Sequence, residues 1–122
     1  MAQNFEDLRV WQKAVEFAVQ IYALTRTFPD DERFGLTSQL RRSAVSVPSN
    51  IAEGRGRLSE GDFRQFLGIA QGSTYEVLTQ LLIAKRLRFG SPDAIAQCED
   101  LSNEVSKMLG ALIARLPRKA RS

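Results

Sequence analysis

Basic side chains are the residues of this sequence whose type and spacing best suit contact with a ligand. Our candidates lie in or beside the predicted second and third helices: Arg41, Arg42, Arg55, Arg57, Arg64, Lys85, Arg86 and Arg88. Arginine forks match the geometry of phosphate oxygens, and clustered charges bind nucleic acid by releasing counterions. A structural interpretation stays open for the last three, because cations at the end of a helix complement its dipole.

Residues that could support catalysis or bind a metal are scarce. The sequence has no histidine, the commonest general base and transition-metal ligand, so no Glu-x-x-His pair of a di-iron bundle can be written. Gly54-Arg55-Gly56 follows a helix and lacks the lysine of a phosphate-binding loop. Cys98 falls on an apolar helical stripe, which indicates a core residue rather than a nucleophile. We therefore expect no enzyme, no metal and no cofactor.

Composition indicates an ordinary globular protein with a small positive charge. The 122 residues are 43% hydrophobic and 25% charged, with a formal net charge of +3. This length suits one domain, 1–122, that buries a real core. The single cysteine favours a reducing compartment, and the sequence shows neither a leader pattern nor an apolar stretch of bilayer length. We expect a cytoplasmic protein that does not enter a membrane.

The predicted second helix is the element around which the chain is organised. Its apolar residues recur at helical spacing: Leu40, Ala44, Val47 and Ile51. The pattern keeps its phase through Pro48, which predicts a continuous helix kinked at that proline, either simply to bend around a core or for a functional reason. We expect the hydroxyls of Ser43, Ser46 and Ser49 to satisfy the freed backbone groups, and Gly54 to end the helix.

Three further helical segments complete the predicted fold. The first begins at a cap, Asn4 or Asp7, and carries two apolar seams, which predicts contact with more than one neighbour. Ser59 opens a variant capping box for the third, and Ser91 with Pro92 begins the fourth. The predicted helices are 4–28, 31–53, 59–88 and 91–116, with a basic tail at 117–122. Their short loops predict an all-α, antiparallel, up-down-up-down four-helix bundle.

Two patterns predict how the third and fourth helices pack. Gly68 and Gly72 lie in the middle of the third helix, where each glycine costs about 1 kcal/mol, so we expect another backbone close to them. The fourth helix carries a nearly heptad seam: Ile95, Cys98, Leu101, Val105, Met108, Leu112 and Leu116. The third helix is basic and most of the fourth is acidic, which favours either subunit contact or one-sided binding.

Four segments of the sequence together resemble a known family. They are F-E-D-L-R-V-W-Q-K-A, R-F-G-L-T-S-Q-L-R-R-S-A-V-S-V-P-S-N-I-A-E-G, G-S-T-Y-E-V-L-T-Q-L-L-I-A-K-R-L and K-M-L-G-A-L-I-A-R-L. In order, they resemble the helices of the four-helix-bundle proteins encoded in intervening sequences of bacterial 23S rRNA genes. Pro48, Asn50, Glu53 and Gly54 match the signature positions of that family. The resemblance covers nearly the whole chain and implies a bacterial homopentamer with no known catalytic activity.

The chain is also similar to the accessory protein of diversity-generating retroelements, a related basic pentamer that binds nucleic acid and a reverse transcriptase. Gln71 stands where that segment more often has arginine, which removes one positive charge from each subunit. Asn50 and Glu53 are expected to form hydrogen bonds near the proline or across a subunit boundary.

Two functions are consistent with the arginines and the resemblance. The first is a non-enzymatic, oligomeric bundle protein that associates with RNA or other nucleic acid. The alternative is a protein-interaction scaffold whose ring docks a partner enzyme such as a reverse transcriptase, favoured by the nearly balanced charge and the two seams of the first helix. A structural oligomer with no ligand is a third possibility.

Overall fold

A computed structural model describes residues 8–118 as a bundle of four α-helices. They are α1 (Arg9–Thr25), α2 (Leu36–Arg55), α3 (Glu60–Arg86) and α4 (Pro92–Ala114), with a 3₁₀ helix, Asp30–Glu32, before α2. Consecutive helices pack side by side, and α1 also packs against α4, whereas within these residues the Cα atoms of diagonally opposite helices stay more than 8 Å apart. No strand occurs in this part of the chain. The predicted all-α four-helix bundle is confirmed.

Apolar side chains from all four helices fill the centre of the bundle. The largest fully buried ones include Phe17, Ile21, Leu40, Ile51, Leu67, Leu81, Ile95 and Leu109. Burying a side chain of this kind contributes roughly 1.5–3 kcal/mol to stability. The predicted apolar face of α2 is fully buried, so the periodicity identified the correct face.

The two ends of the chain extend past the described residues. Asn4 and Asp7, which we expected to cap the first helix, and residues 119–122 of the predicted tail lie outside them. Within the described chain, Leu8 occupies the N-cap position of α1 with extended backbone and no side-chain cap. The helix therefore begins at Arg9, and it ends at Thr25, three residues earlier than predicted.

The start of α2 differs from the prediction of residue 31. Gly35 has φ −106° and ψ −116°, outside the helical region, so α2 begins at Leu36. The acidic residues before it form the 3₁₀ turn, and a carboxylate oxygen of Glu32 accepts a hydrogen bond of 3.1 Å from the Leu36 N–H. The acidic run thus lies at the positive end of α2, but it precedes the helix instead of forming its first turn.

The predicted end of α2 at Glu53, with Gly54 as its terminating residue, is wrong. The helix continues through Pro48, as predicted, and past Gly54 to Arg55. Gly54 is buried, and a Cβ at this position would lie 2.5 Å from the Phe66 Cβ of α3. The glycine is therefore required for the close approach of α2 and α3, not for ending the helix.

The serines near Pro48 make different contacts from those predicted. Ser43 Oγ accepts a hydrogen bond of 3.3 Å from Gln80 of α3, and Ser46 Oγ lies 2.9 Å from Ser73 Oγ of α3. Ser49 is exposed. The hydroxyls of Ser43 and Ser46 connect α2 to α3 rather than satisfying the backbone groups freed by the proline.

The caps of α3 and α4 are as predicted, but their packing differs in two places. Ser59 and Ser91 each accept a hydrogen bond of 3.1 Å from the backbone N–H three residues later. Gly68 and Gly72 face open space within the described chain, which contradicts the predicted close backbone contact. On α4, Leu109 is fully buried where we expected Met108, because a helical period of 3.6 residues drifts away from a heptad seam.

Both helices also end earlier than predicted, at Arg86 and Ala114. After α3, the Phe89 N–H bonds to the Ala84 carbonyl at 2.9 Å and the Arg88 N–H to the Lys85 carbonyl at 3.1 Å, the Schellman pattern. This hydrogen-bonded turn stops α3 before Arg88.

Candidate nucleic-acid interface

The antiparallel fold divides the basic candidates between the two ends of the bundle. We call one the Phe28 end: it holds the end of α1, the start of α2, the end of α3 and the start of α4, and there the rings of Phe28 and Phe89 lie 5.6 Å apart. The opposite end is the Phe63 end. The Phe28 end contains Arg41, Arg42, Lys85, Arg86 and Arg88, and the Phe63 end contains Arg55, Arg57 and Arg64. The sequence candidates therefore do not form one surface.

The arginines of the Phe63 end contact groups of their own chain. Arg57 lies 4.6 Å from the ring centroid of Phe66 and forms an ion pair of 2.9 Å with Glu53. Arg55 lies 5.6 Å from the ring centroid of Phe63. These contacts cover the junction of α2 and α3, which favours a structural role.

The three basic residues that close α3 fit the helix-dipole interpretation. Lys85 and Arg86 lie in the last turn, and Lys85 also forms an ion pair of 3.8 Å with Glu99 of α4. Arg88 lies just past the helix in the left-handed region, with φ 61°. The grooves between α1 and α2 that are described below are lined by other side chains.

A groove between α1 and α2 at the Phe28 end brings together a different set. We call it the Tyr22 groove, and it has a volume of about 470 Å³. It is lined by Tyr22, Arg33, Phe34, Thr37, Ser38, Arg41, Arg42 and Val45. Three arginines, two aromatic rings and three hydroxyl groups, one of them on Tyr22, thus meet in one place, with no acidic residue among these lining side chains.

Arg41 is held in a fixed position within this groove. Its Nε donates a hydrogen bond of 2.8 Å to Thr25 Oγ1, and its guanidinium carbon lies 4.6 Å from the ring centroid of Tyr22. The Thr25 hydroxyl in turn donates to the Ile21 carbonyl at 2.8 Å. Within residues 8–118, the Nη groups of Arg41 have no hydrogen-bond partner. They remain available for an anion.

Arg33, Phe34 and Arg42 complete the groove as exposed side chains. Phe34 is 88% exposed, and the guanidinium carbon of Arg33 lies 5.3 Å from its ring centroid. Neither Arg33 nor Arg42 forms an ion pair with a carboxylate of the described chain. A neighbouring groove shares Arg33 and Arg41 and adds Arg26, but Asp30 also lines it and opposes an anion there.

Sequence reasoning missed the aromatic residues Tyr22 and Phe34 and the cation Arg33 of the Tyr22 groove, and it missed Arg26 of the neighbouring groove. One signal was available, since Arg33 and Phe34 adjoin in a turn, where an exposed aromatic beside a cation is typical of a binding surface. Tyr22 and Arg41 belong to different helices, so only the packing of α1 against α2 shows that they meet.

Asn50 and Glu53, which lie near Pro48 on α2, and Gln71 of α3 all have partners within the chain. Asn50 Nδ2 donates to the Ser46 carbonyl at 2.8 Å and to Ser46 Oγ at 2.9 Å. Glu53 pairs with Arg57, and Gln71 donates to the Ser106 carbonyl of α4 at 3.0 Å. Of the two alternatives for Asn50, bonding near the proline is the one observed within the chain.

Residues suited to other chemistry are few among residues 8–118. Cys98 is buried, and burial together with the Glu99 carboxylate raises the pKa of its thiol to about 11. Within the same range, no group of three or more metal-binding side chains comes together. The helices in this part of the chain are too short or too polar to cross a bilayer.

The sequence matches a known protein family over most of its length. A model of the 23S rRNA-intervening sequence protein family matches residues 6–111. The chain belongs to this family. Among solved structures, it is similar to a protein with unknown function from the S23 ribosomal protein family of Bacteroides thetaiotaomicron. The two share 28% identity over 85% of this chain and 97% of that chain, with a TM-score of 0.79. Comparison with curated proteins found no match.

These comparisons indicate the 23S rRNA-intervening sequence family and no enzymatic family. The four positions that carried the resemblance lie together on the second half of α2. Pro48 and Gly54 are buried, Asn50 bonds to the preceding turn, and Glu53 pairs with Arg57. In this member of the family the signature segment thus shapes α2 and its junction with α3, whereas the Tyr22 groove lies at the other end of α2.

Proposed function

We propose that this protein is a non-enzymatic, oligomeric bundle that associates with RNA or other nucleic acid, and that the Tyr22 groove is its contact surface. The observation that carries the proposal is the meeting of Arg33, Arg41 and Arg42 beside two aromatic rings. Arginines without a carboxylate partner attract phosphate and release counterions on binding. The family's association with 23S rRNA genes is consistent with an RNA ligand.

Local charge supports this surface better than the net charge does. A net charge of +3 is small, but Arg26, Arg33, Arg41 and Arg42 occupy adjoining grooves at one corner of the bundle. A concentrated positive surface steers an anionic polymer even when the whole molecule is nearly neutral. The Phe63 end is a weaker candidate, because Arg57 is neutralised by Glu53.

Two matched triple variants test the contact surface. The first replaces Arg33, Arg41 and Arg42 with glutamine, and the second replaces the basic residues of the Phe63 end: Arg55, Arg57 and Arg64. Both remove three positive charges. We expect the first to weaken RNA binding across sequences and to reduce the magnitude of the slope of log K against log salt by about two to three, while the second changes the slope less. Fluorescence anisotropy over a salt series measures both.

Two outcomes of the comparison between these variants would contradict binding at the Tyr22 groove. Equal losses in the two variants would assign binding to general charge rather than to the Tyr22 groove. A larger loss in the Phe63-end variant would move the surface to the opposite end. Circular dichroism of both variants controls for folding, which matters because Arg41 also contacts Thr25 and Tyr22.

Self-assembly into a cytoplasmic homopentamer is part of the proposal. Apolar side chains remain on the outside of the bundle, among them Val19 at 63% exposed, Ile69 at 48% and Leu82 at 45%. The backbone beside Gly68 and Gly72 is also uncovered within the described chain. An additional subunit against α3 would bury Ile69 and Leu82 and would explain glycines that the single chain does not need.

The alternative function is a scaffold whose ring docks a partner enzyme such as a reverse transcriptase. The observation that favours it is a mainly apolar groove between α1 and α2, lined in part by Val15, Val19 and Pro48. Pull-down from cells with and without nuclease separates the two functions. A protein partner that survives nuclease would support the scaffold, and a partner lost together with RNA would support nucleic-acid association.

A further inference from the structure

We propose that the Tyr22 groove binds an unpaired nucleotide, with its base stacked on Phe34 and its phosphate held by Arg41 and Arg42. This inference rests on the proposed nucleic-acid association and narrows it to single-stranded segments. It assigns the groove a ligand of defined chemistry, an aromatic base joined to a phosphodiester.

The phosphate part of the site follows from the arrangement of Arg41. The Arg41 Nε donates a hydrogen bond to Thr25, and the Tyr22 ring covers one face of the Arg41 guanidinium. These two contacts fix the orientation of the guanidinium and therefore of its Nη groups. A fixed fork loses less conformational freedom on binding than a mobile side chain does. Arg42 lines the same groove and is exposed, which supplies a second charge for the same phosphate or its neighbour.

The base part of the site follows from Phe34. This phenyl ring is 88% exposed, follows the 3₁₀ turn and lies beside the cation of Arg33. This exposure leaves most of the ring surface open to a ligand. Every base offers a π face, and stacking on an aromatic side chain tolerates any sequence. The Phe34 ring is therefore a stacking platform next to the phosphate site.

Unpaired strands fit this arrangement better than duplexes do. In a duplex the bases are stacked on one another, so a surface phenyl ring meets only backbone and groove edges, whereas bases in loops and ends can be splayed onto a protein ring. Arginines alone would bind both forms through phosphate. The aromatic ring should therefore create a preference for the unpaired form.

The experiment compares single-stranded RNA, single-stranded DNA and an RNA duplex of the same length by fluorescence anisotropy at fixed salt. The variants are Phe34→Ala, which removes the ring, and Phe34→Trp, which keeps a stacking surface. Leu58→Ala is the matched control, because Leu58 is a fully exposed apolar residue at the Phe63 end. Because Phe34 and Leu58 are both exposed, we expect neither substitution to disturb folding, and circular dichroism checks that the variants are folded.

We expect Phe34→Ala to weaken single-strand binding about 10-fold and to leave duplex binding nearly unchanged. Phe34→Trp and Leu58→Ala should keep the single-strand affinity. If Phe34→Ala weakens the binding of single-stranded RNA and single-stranded DNA equally, the site recognises base and phosphate. If it weakens the binding of RNA alone, the site also recognises the ribose hydroxyl.

Two results would overturn the inference while leaving the proposed function intact: equal affinity for duplex and single strand, or a Phe34→Ala variant that binds single strands as the natural chain does. An equal loss of affinity for single strands and for the duplex in Phe34→Ala would also contradict base stacking on Phe34. Absence of binding to all three probes would overturn the proposed function and the inference together.

Discussion

At the scale of single residues, Arg88 occupies a conformation that its type disfavours. Within residues 8–118 it is the one residue other than glycine with positive φ, at 61°. Left-handed backbone costs a residue with a Cβ about 1–2 kcal/mol, a cost that glycine does not have. We expect Arg88→Gly to raise the free energy of unfolding by about 1 kcal/mol, as measured by urea denaturation.

The matched control for this prediction is Arg88→Ala, which removes the charge but keeps the Cβ. Its stability should stay close to that of the natural chain. Equal stabilisation by alanine and glycine would show that the charge, rather than the backbone conformation, is unfavourable at this position.

Gly54 gives a second prediction, with the opposite sign. A methyl group here would lie 2.5 Å from the Phe66 Cβ and 3.2 Å from the Phe63 ring, so α2 and α3 would have to separate. We expect Gly54→Ala to lower the free energy of unfolding by roughly 1–3 kcal/mol, the cost of overpacking a core. Gly56→Ala is the control, because its nearest neighbour would be at 3.5 Å and no strain should appear in the urea midpoint. Similar midpoints for the two variants would contradict this role.

Cys98 leads to a prediction about pH. The pKa of its thiol is raised from the usual 9.0 to about 11 in the folded chain. The unfolded chain therefore loses this proton first, so the stabilisation is complete below pH 9 and is lost as pH rises toward 11, by roughly 3 kcal/mol at most. We expect stability to fall more steeply between these values in the natural chain than in Cys98→Ala. Parallel curves for the two proteins would contradict a buried, protonated thiol.

At the scale of elements, α2 shows what hydrophobic periodicity can predict and what it cannot. The recurrence of Leu40, Ala44, Val47 and Ile51 predicted the buried face and the continuation through Pro48, because burial of a stripe outweighs the loss of one hydrogen bond. The predicted ends were wrong, because the prediction placed Gly35 inside the helix and made Gly54 its terminating residue. Gly35 interrupts the helix, and Gly54 continues it against Phe66.

The same limit applies to α3. Its N-terminal cap follows from local chemistry, so the role of Ser59 was predictable. Gly68 and Gly72 were expected to lie close to another backbone, but they face open space within the described chain. Propensity shows that a glycine is unfavourable in a helix but not which neighbour, if any, compensates for it.

Pro48 allows a prediction about α2 as a whole. It is buried in the helix and lines the apolar groove against α1, so its effect extends to the surface that α2 presents with Val19. We expect Pro48→Ala to straighten α2 and to alter assembly more than helix content. Circular dichroism combined with light scattering checks this. An unchanged oligomer of unchanged shape would show that the proline only fits the helix to its own core.

At the scale of the whole molecule, the candidate site exists only after the helices have packed. The sequence indicated arginines as ligand-binding residues, and Arg41 and Arg42 do line the Tyr22 groove. Their aromatic neighbours were not predictable, because Tyr22 belongs to α1 and Phe34 to a turn that the sequence analysis placed inside a helix. The overall bundle could be predicted because each helix carries its own pattern, but the site could not, because it depends on contacts between elements.

Size-exclusion chromatography with light scattering, read at both 260 and 280 nm, tests the central proposal most directly. The proposal predicts a peak with the mass of a homopentamer that carries excess absorbance at 260 nm, and high salt should remove that excess by displacing bound nucleic acid. A peak with the mass of one chain and no excess absorbance at 260 nm at any salt concentration would contradict both assembly and nucleic-acid association.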